Sequence, residues 1–137
     1  MRTLSTLGLP LDGPHTPDTT LDAARALSDL VQYLNHATTG PDAVVEVLDE
    51  VLINLADAAH GLDQTLSQIS STALDLRTQP SLRDDRGDSV DPADTAETVA
   101  DATAEARTRL ALVTAALRDA ASAAAHLGHH VSTNDND

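Results

Sequence analysis

The sequence predicts an all-α fold: an antiparallel three-helix bundle with two long helices and one short one. Three observations carry that prediction. Residues 42–77 hold an apolar repeat of heptad period. Pro-containing helix starts stand at Thr16-Pro17-Asp18 and Asp91-Pro92-Ala93-Asp94. With one Tyr and no Phe or Trp, the packing must come from Leu, Val and Ala, which suits closely spaced helices.

Residues 1–17 contain Pro10, Pro14 and Pro17, which rule out a continuous helix, so an extended arm bearing Leu4, Leu7, Leu9 and Leu11 is expected. Residues 18–38 form the first helix, capped by Thr16 or Asp18, with Leu21, Ala24, Leu27, Val31 and Leu34 on its apolar face. Gly40 ends it and Pro41-Asp42 opens the next helix. So short a joint predicts that these two helices fold back as an antiparallel hairpin.

The second helix, residues 42–77, is the expected spine. With Leu48 at position a, the a positions are Leu48, Leu55, Leu62, Ile69 and Leu76. Position d runs Val44, Val51, Ala58, Thr65, Thr72, and position e runs Val45, Leu52, Ala59, Leu66, Ala73. A stripe this wide predicts at least two neighbouring helices. Positions b and c (Asp49, Glu50, Asp57, Asp63, Gln64, Ser70, Ser71) read as solvated, and burial is expected to be deepest near Val44–Leu55. Gly61, mid-helix, predicts a close helix approach or a mild kink.

Residues 78–90 form a polar linker. Its Arg86-Gly87-Asp88 tripeptide reads as a chance product of an Arg- and Asp-rich loop. The third helix is expected over 91–127, with Val99, Thr103, Ala106, Leu110, Val113, Leu117, Ala120, Ala124 and Leu127 facing inward. The bundle as a whole spans 18–130, and residues 131–137 form a disordered tail.

The long helices are each about 54 Å and the short one about 30 Å, at ~1.5 Å per residue. The half of the second helix beyond Gly61 is therefore expected to outrun the first helix. Its stripe of Leu62, Leu66, Ile69, Ala73 and Leu76, with Val99, Ala102 and Ala106 of the third helix, is the predicted partner or dimer interface. Either the leucines of the arm or a second copy covers it. The expected answer is a homodimer, which completes a four-helix region.

The formal net charge of −14 disfavours direct contact with nucleic acid or anionic lipid and favours basic protein partners. No run approaches the ~20 apolar residues of a membrane span, and the N-terminus has no signal-peptide core, so a cytoplasmic location is expected. The absence of Cys excludes disulfides and thiolate chemistry. Eight Arg with no Lys, among abundant Ala, Thr and Asp, points to a high-GC genome, actinobacterial before haloarchaeal.

Candidate chemistry is sparse. His126 and His130 stand at i,i+4, a spacing that two ligands of one metal can use, but no third ligand accompanies them. They read as a solvated helix end, and no metal or cofactor is expected. Glu46, Asp49 and Glu50 on the second helix and Asp94, Glu97 and Asp101 on the third could resemble the carboxylates of a Mg²⁺-dependent hydrolase. The hairpin register puts the two groups about 40 Å apart, at ~1.5 Å per residue. Asp94, Glu97, Asp101 and Glu105 form a continuous acidic ridge that could mimic a row of phosphates. No nucleophile elbow, phosphate-cradling Gly loop or aromatic platform is present. The expected function is that of a non-enzymatic acidic helical interaction protein that self-associates and docks a protein partner. An acidic inhibitor of a nucleic-acid-binding protein is the first alternative, and a metal-dependent hydrolase the second.

The run LVQYLNHAT (residues 30–38), the Leu-rich helix ending in LSQISSTAL and the Ala-rich helix after it resemble small uncharacterised actinobacterial helical-bundle proteins, some carried on mobile elements. The resemblance implies a helical bundle and no catalytic residues. ESX-type secreted helical hairpins are a second comparison. Where they carry a Trp-x-Gly turn, this chain has Thr38-Thr39-Gly40-Pro41.

Overall fold

The computed structural model describes residue 9, residues 11–40 and residues 45–127. Among these the chain is all-helical, with three α-helices and no strand. They are α1 (Pro17–Ala37), α2 (Leu48–Leu76) and α3 (Pro92–Ala124), and α2 packs against α3. The class and helix order are consistent with a three-helix bundle. The chain divides into two compact units, residues 1–45 and 46–137, described in turn.

In the first unit, Thr16 rather than Asp18 caps α1. Its hydroxyl accepts from the Thr19 N–H at 3.2 Å, and the Thr19 hydroxyl accepts from the Thr16 N–H at 2.9 Å. This reciprocal pair satisfies two backbone donors at the helix start, and Pro17 needs no partner there. At the other end the Thr38 and Thr39 hydroxyls donate to the Leu34 and His36 carbonyls. The arm is not simply extended: the chain turns at Leu11–Asp12, and Gly13 takes a φ of +84°, open to glycine and strained for other residues. Leu9, Leu11, Pro14 and His15 thereby stand with Thr19, Thr20 and Ala23 around a hollow of about 250 Å³. The expected packing of Leu4 and Leu7 lies outside the described residues.

In the second unit, the α-helical part of the spine starts at Leu48, later than the expected 42. A 3₁₀ turn, Val45–Val47, precedes it, and Val47 at the cap position offers no side-chain acceptor. Residues 41–44, with the expected Pro41-Asp42 opening, lie outside the described residues. At α3 the expected start holds: the Asp91 carboxylate accepts from the Ala93 N–H at 2.9 Å, with Pro92 following. The helix ends at Ala124, about a turn short of the expected Leu127.

The two helices run antiparallel. Asp57 pairs with Arg118, Asp63 with Arg107 and Arg77 with Glu97, while the Ser70 hydroxyl donates to the Ala100 carbonyl. Moving up α2 moves down α3, in the register expected from the linker.

The rotation of the helices differs from expectation. The buried residues of α2 are Ala56, Ala59 and Ala73, and those of α3 are Ala96, Ala100, Thr114, Ala121 and Ala124. The seam on α2 therefore follows positions b and e: Ala56, Ala59, Asp63, Leu66, Ser70, Ala73. Positions a and d do not form it. On α3 it follows Ala96, Ala100, Thr103, Arg107, Leu110, Thr114, Leu117, Ala121 and Ala124. Val99 and Val113, expected to face inward, are 44% and 47% exposed. Ala120 is also exposed.

The physical reason lies in side-chain size. Two Ala-lined faces let helix axes approach at the short end of ~8–10 Å, whereas a Leu seam would hold them apart. Close approach brings the Ser70 hydroxyl to a backbone carbonyl of α3 at 3.1 Å. Asp63, assigned to a solvated face by its polarity, instead meets Arg107 at 3.0 Å. Among the described residues, burial is consequently not deepest in the Val44–Leu55 stretch. Leu48, Val51, Leu52 and Leu55 are half-buried, and Ala56 is the first fully buried residue.

Gly61 marks neither a close approach nor a break. It is exposed, α2 continues through it, and a Cβ built there meets nothing within 4 Å. Gly61→Ala is therefore expected to stabilise the unit by about 1 kcal/mol, through the lower entropy of the unfolded chain. Denaturant unfolding of the two proteins checks it.

Candidate interaction surface

The b/e seam leaves the α2–α3 hairpin with two unlike flanks. One is charged. It carries the Asp57–Arg118 contact at 3.9 Å and the Arg77–Glu97 pair at 3.4 Å. It also carries Asp94, Asp101 and Glu105, the last held by Arg109 at 2.8 Å. The expected acidic ridge is thus on one flank, with two of its four carboxylates, Glu97 and Glu105, engaged by arginines.

The other flank is uncharged. It consists of positions a and d of α2, from Leu48 to Leu76, and of Val99, Ala102, Ala106 and Val113 of α3. No Asp, Glu or Arg stands at these positions, and the one charged side chain that borders them is Arg109, seven residues after Ala102 and paired with Glu105 at 2.8 Å. Ile69 and Leu76 are 43% and 39% exposed. Near the closed end, Leu76 and Val99 share a hollow of about 190 Å³ with Leu82, Pro92 and seam residues Ala73 and Ala96.

The residues expected at an interface separate accordingly. Ile69, Leu76, Val99 and Ala102 are exposed on the uncharged flank, and Leu62 and Ala106 are half-buried beside it. Ala73 is buried in the seam, and Leu66 is half-buried within it. These two hold the hairpin together and offer little to a partner.

The linker carries a polar cluster that joins Asp84, Arg86 and Thr95. Asp84 accepts from the Arg86 backbone N–H at 3.0 Å and from its guanidinium at 2.9 and 2.7 Å. The Thr95 hydroxyl on the first turns of α3 donates to the same carboxylate at 2.6 Å. The Arg86 hydrogen bonds, then that of Thr95, hold the Asp84 carboxyl well below the usual carboxylate range. The same carboxylate raises the Arg86 guanidinium above its ordinary value. Gly87, with a φ of +104°, permits the turn that follows. Arg86 is thus held inside a local turn by Asp84 and Thr95. The sequence signal for this cluster was Asp84-x-Arg86 just before a helix start, hidden in a run of similar residues.

Glu46, Asp49 and Glu50 stand at the open end of the hairpin, and Asp94, Glu97 and Asp101 near its closed end, so the two groups share no centre. Among the described residues no group of three or more His, Asp or Glu side chains is arranged to hold a metal ion. His126 is exposed beyond the end of α3, and His130 lies outside the described residues. Among the described residues no helix is long and apolar enough to cross a membrane.

Comparison of the chain with protein-family models, curated proteins and solved structures found no match.

Proposed function

We propose that this chain is a non-enzymatic interaction protein: an acidic helical scaffold that self-associates and docks a protein partner through the uncharged flank of its α2–α3 hairpin. One observation carries the reading. In a chain of net charge −14, the carboxylates of two long helices all avoid one flank, where Arg109 is the one charged neighbour, and large apolar side chains on that flank stay exposed. Solubility alone calls for no such segregation. A large uncharged patch on a charged molecule is the mark of a surface that is covered in use. The charged flank keeps the scaffold soluble and favours basic surfaces nearby. A cytoplasmic site of action fits this reading.

The test is affinity capture from the native host with two variants. Ile69→Asp places a charge in the middle of the uncharged flank and leaves the seam intact. Neutralising Asp94, Glu97, Asp101 and Glu105 together removes the ridge. A co-captured protein lost with Ile69→Asp and retained with the neutralised ridge supports the reading. The reverse result, with capture that falls steeply as salt is raised, supports instead an acidic mimic that occupies a nucleic-acid-binding protein.

A further inference from the structure

We infer that the first occupant of the uncharged flank is a second copy of this chain, with α2 of each protomer lying over α3 of the other in a two-fold, four-helix arrangement. The inference rests on the proposed function and names the occupant of the same surface.

Area supports it. The overlap of α2 with α3 covers the length of Leu48–Leu76, about 43 Å at ~1.5 Å per residue. Two adjacent helices present a strip roughly 18 Å wide. Their product, about 800 Å² per protomer, is what a standard stable interface requires.

Charge selects the occupant. Two chains of net charge −14 repel, and they can meet only through a surface that brings no carboxylate toward its twin. The uncharged flank is such a surface, and face-to-face contact leaves both ridges on the outside. A basic partner would be drawn to the ridge instead.

Shape selects the arrangement. On α2 the flank carries Leu55, Leu62 and Ile69, while on α3 it carries Ala102, Ala106 and Val113, with Arg109 at its edge. Setting α2 over the partner's α3 places large side chains against the small Ala102 and Ala106 and leaves the largely exposed Arg109 at the rim. Setting α2 over α2 would stack leucine on leucine. A two-fold axis along the hairpin produces the first arrangement and makes every neighbouring pair of helices antiparallel.

The experiment is sedimentation of the full chain across micromolar concentrations, with two variants of equal added charge. The native chain is expected at twice its 14.3 kDa mass. Ile69→Asp is expected to weaken association about 100-fold or more, since each interface would bury two unpaired carboxylates. Gln64→Glu, at the exposed c position away from this flank, is expected to leave association unchanged. Circular dichroism establishes that both variants remain helical.

The chain has no cysteine, so the arrangement is testable by mixing Ile69→Cys and Ala102→Cys chains, which stand at the same level of the hairpin. A mixed disulfide exceeding either self-linked product is expected. A 14.3 kDa species at every concentration, or a dimer that survives Ile69→Asp or is lost with Gln64→Glu, overturns the inference. A dimer without the mixed disulfide overturns the α2-over-α3 arrangement. If the native chain is monomeric but still captures a protein that Ile69→Asp loses, the second copy is wrong and so is the self-association in the proposed function, while partner docking through this flank stands. If Ile69→Asp changes neither association nor capture, both fail.

Discussion

Ala100→Leu is expected to lower the melting temperature of the α2–α3 unit by about 5–20 °C, equivalent to about 1–3 kcal/mol of overpacking in a unit of this size. Ala100 is 3% exposed, and its carbonyl accepts the Ser70 hydroxyl across the seam. A leucine there has no void to fill. It must push α2 away, which breaks that hydrogen bond and opens the contacts of Ala73 and Ala96 on either side. The control is a change of the same three carbon atoms in the opposite direction. Leu112 is 71% exposed, and Leu112→Ala is expected to change stability by less than about 0.5 kcal/mol. In this chain, adding apolar bulk to the core destabilises it, and removing bulk from an exposed leucine does little. Thermal melts followed by circular dichroism decide the matter. Equal stability of Ala100→Leu and the native chain would mean that the seam is not close-packed.

That inverted rule explains what could be read from the sequence and what could not. Helix existence was legible because its signals are local. Asp91-Pro92 and Thr16-Pro17 each supply an acceptor and a residue that needs no N–H partner, and both open helices. The register of α2 on α3 was legible because a short linker between two long helices leaves little freedom. Helix rotation was misread because the heptad was phased on the largest apolar residues. Leu48, Leu55, Leu62, Ile69 and Leu76 form the strongest stripe, but the partner helix is rich in alanine. Between such helices the small residues set the contact. A signal was present in the polar residues: Asp63 and Arg107 stand at matching levels of the hairpin, and each lies in line with its helix's alanines at spacings of three and four. Treating every charged residue as solvated concealed it. The same error explains why Leu66 and Ala73 were grouped with Ile69 and Leu76: one stripe of the sequence serves two surfaces of the fold.

Asp84→Asn is expected to release the linker from α3, and the loss should itself depend on pH. The asparagine keeps the shape of the side chain and can still accept on one atom. Its amide nitrogen cannot replace the second oxygen, so either the bonds from the Arg86 Nε and backbone N–H or those from the Arg86 Nη2 and the Thr95 hydroxyl are lost, and the bidentate grip with them. Trypsin should then cut after Arg83 and Arg86 faster than in the native chain, while the helices remain formed. Because the folded state holds the Asp84 carboxyl below its ordinary value, the cluster stabilises the fold fully above the unfolded value of about 3.9. That contribution fades as pH falls below this value toward the depressed folded one, where the carboxylate is protonated even in the native chain. The denaturant midpoints of native and Asp84→Asn chains should therefore differ by a constant amount from about pH 7 to about pH 5, and the difference should narrow progressively as pH falls below about 3.9. Arg86 is largely exposed, so salt should narrow the gap as well. A gap that widens in acid would show that the linker is held by contacts other than this carboxylate. Equal cleavage of both chains at pH 7 would show that the cluster does not hold the linker to α3.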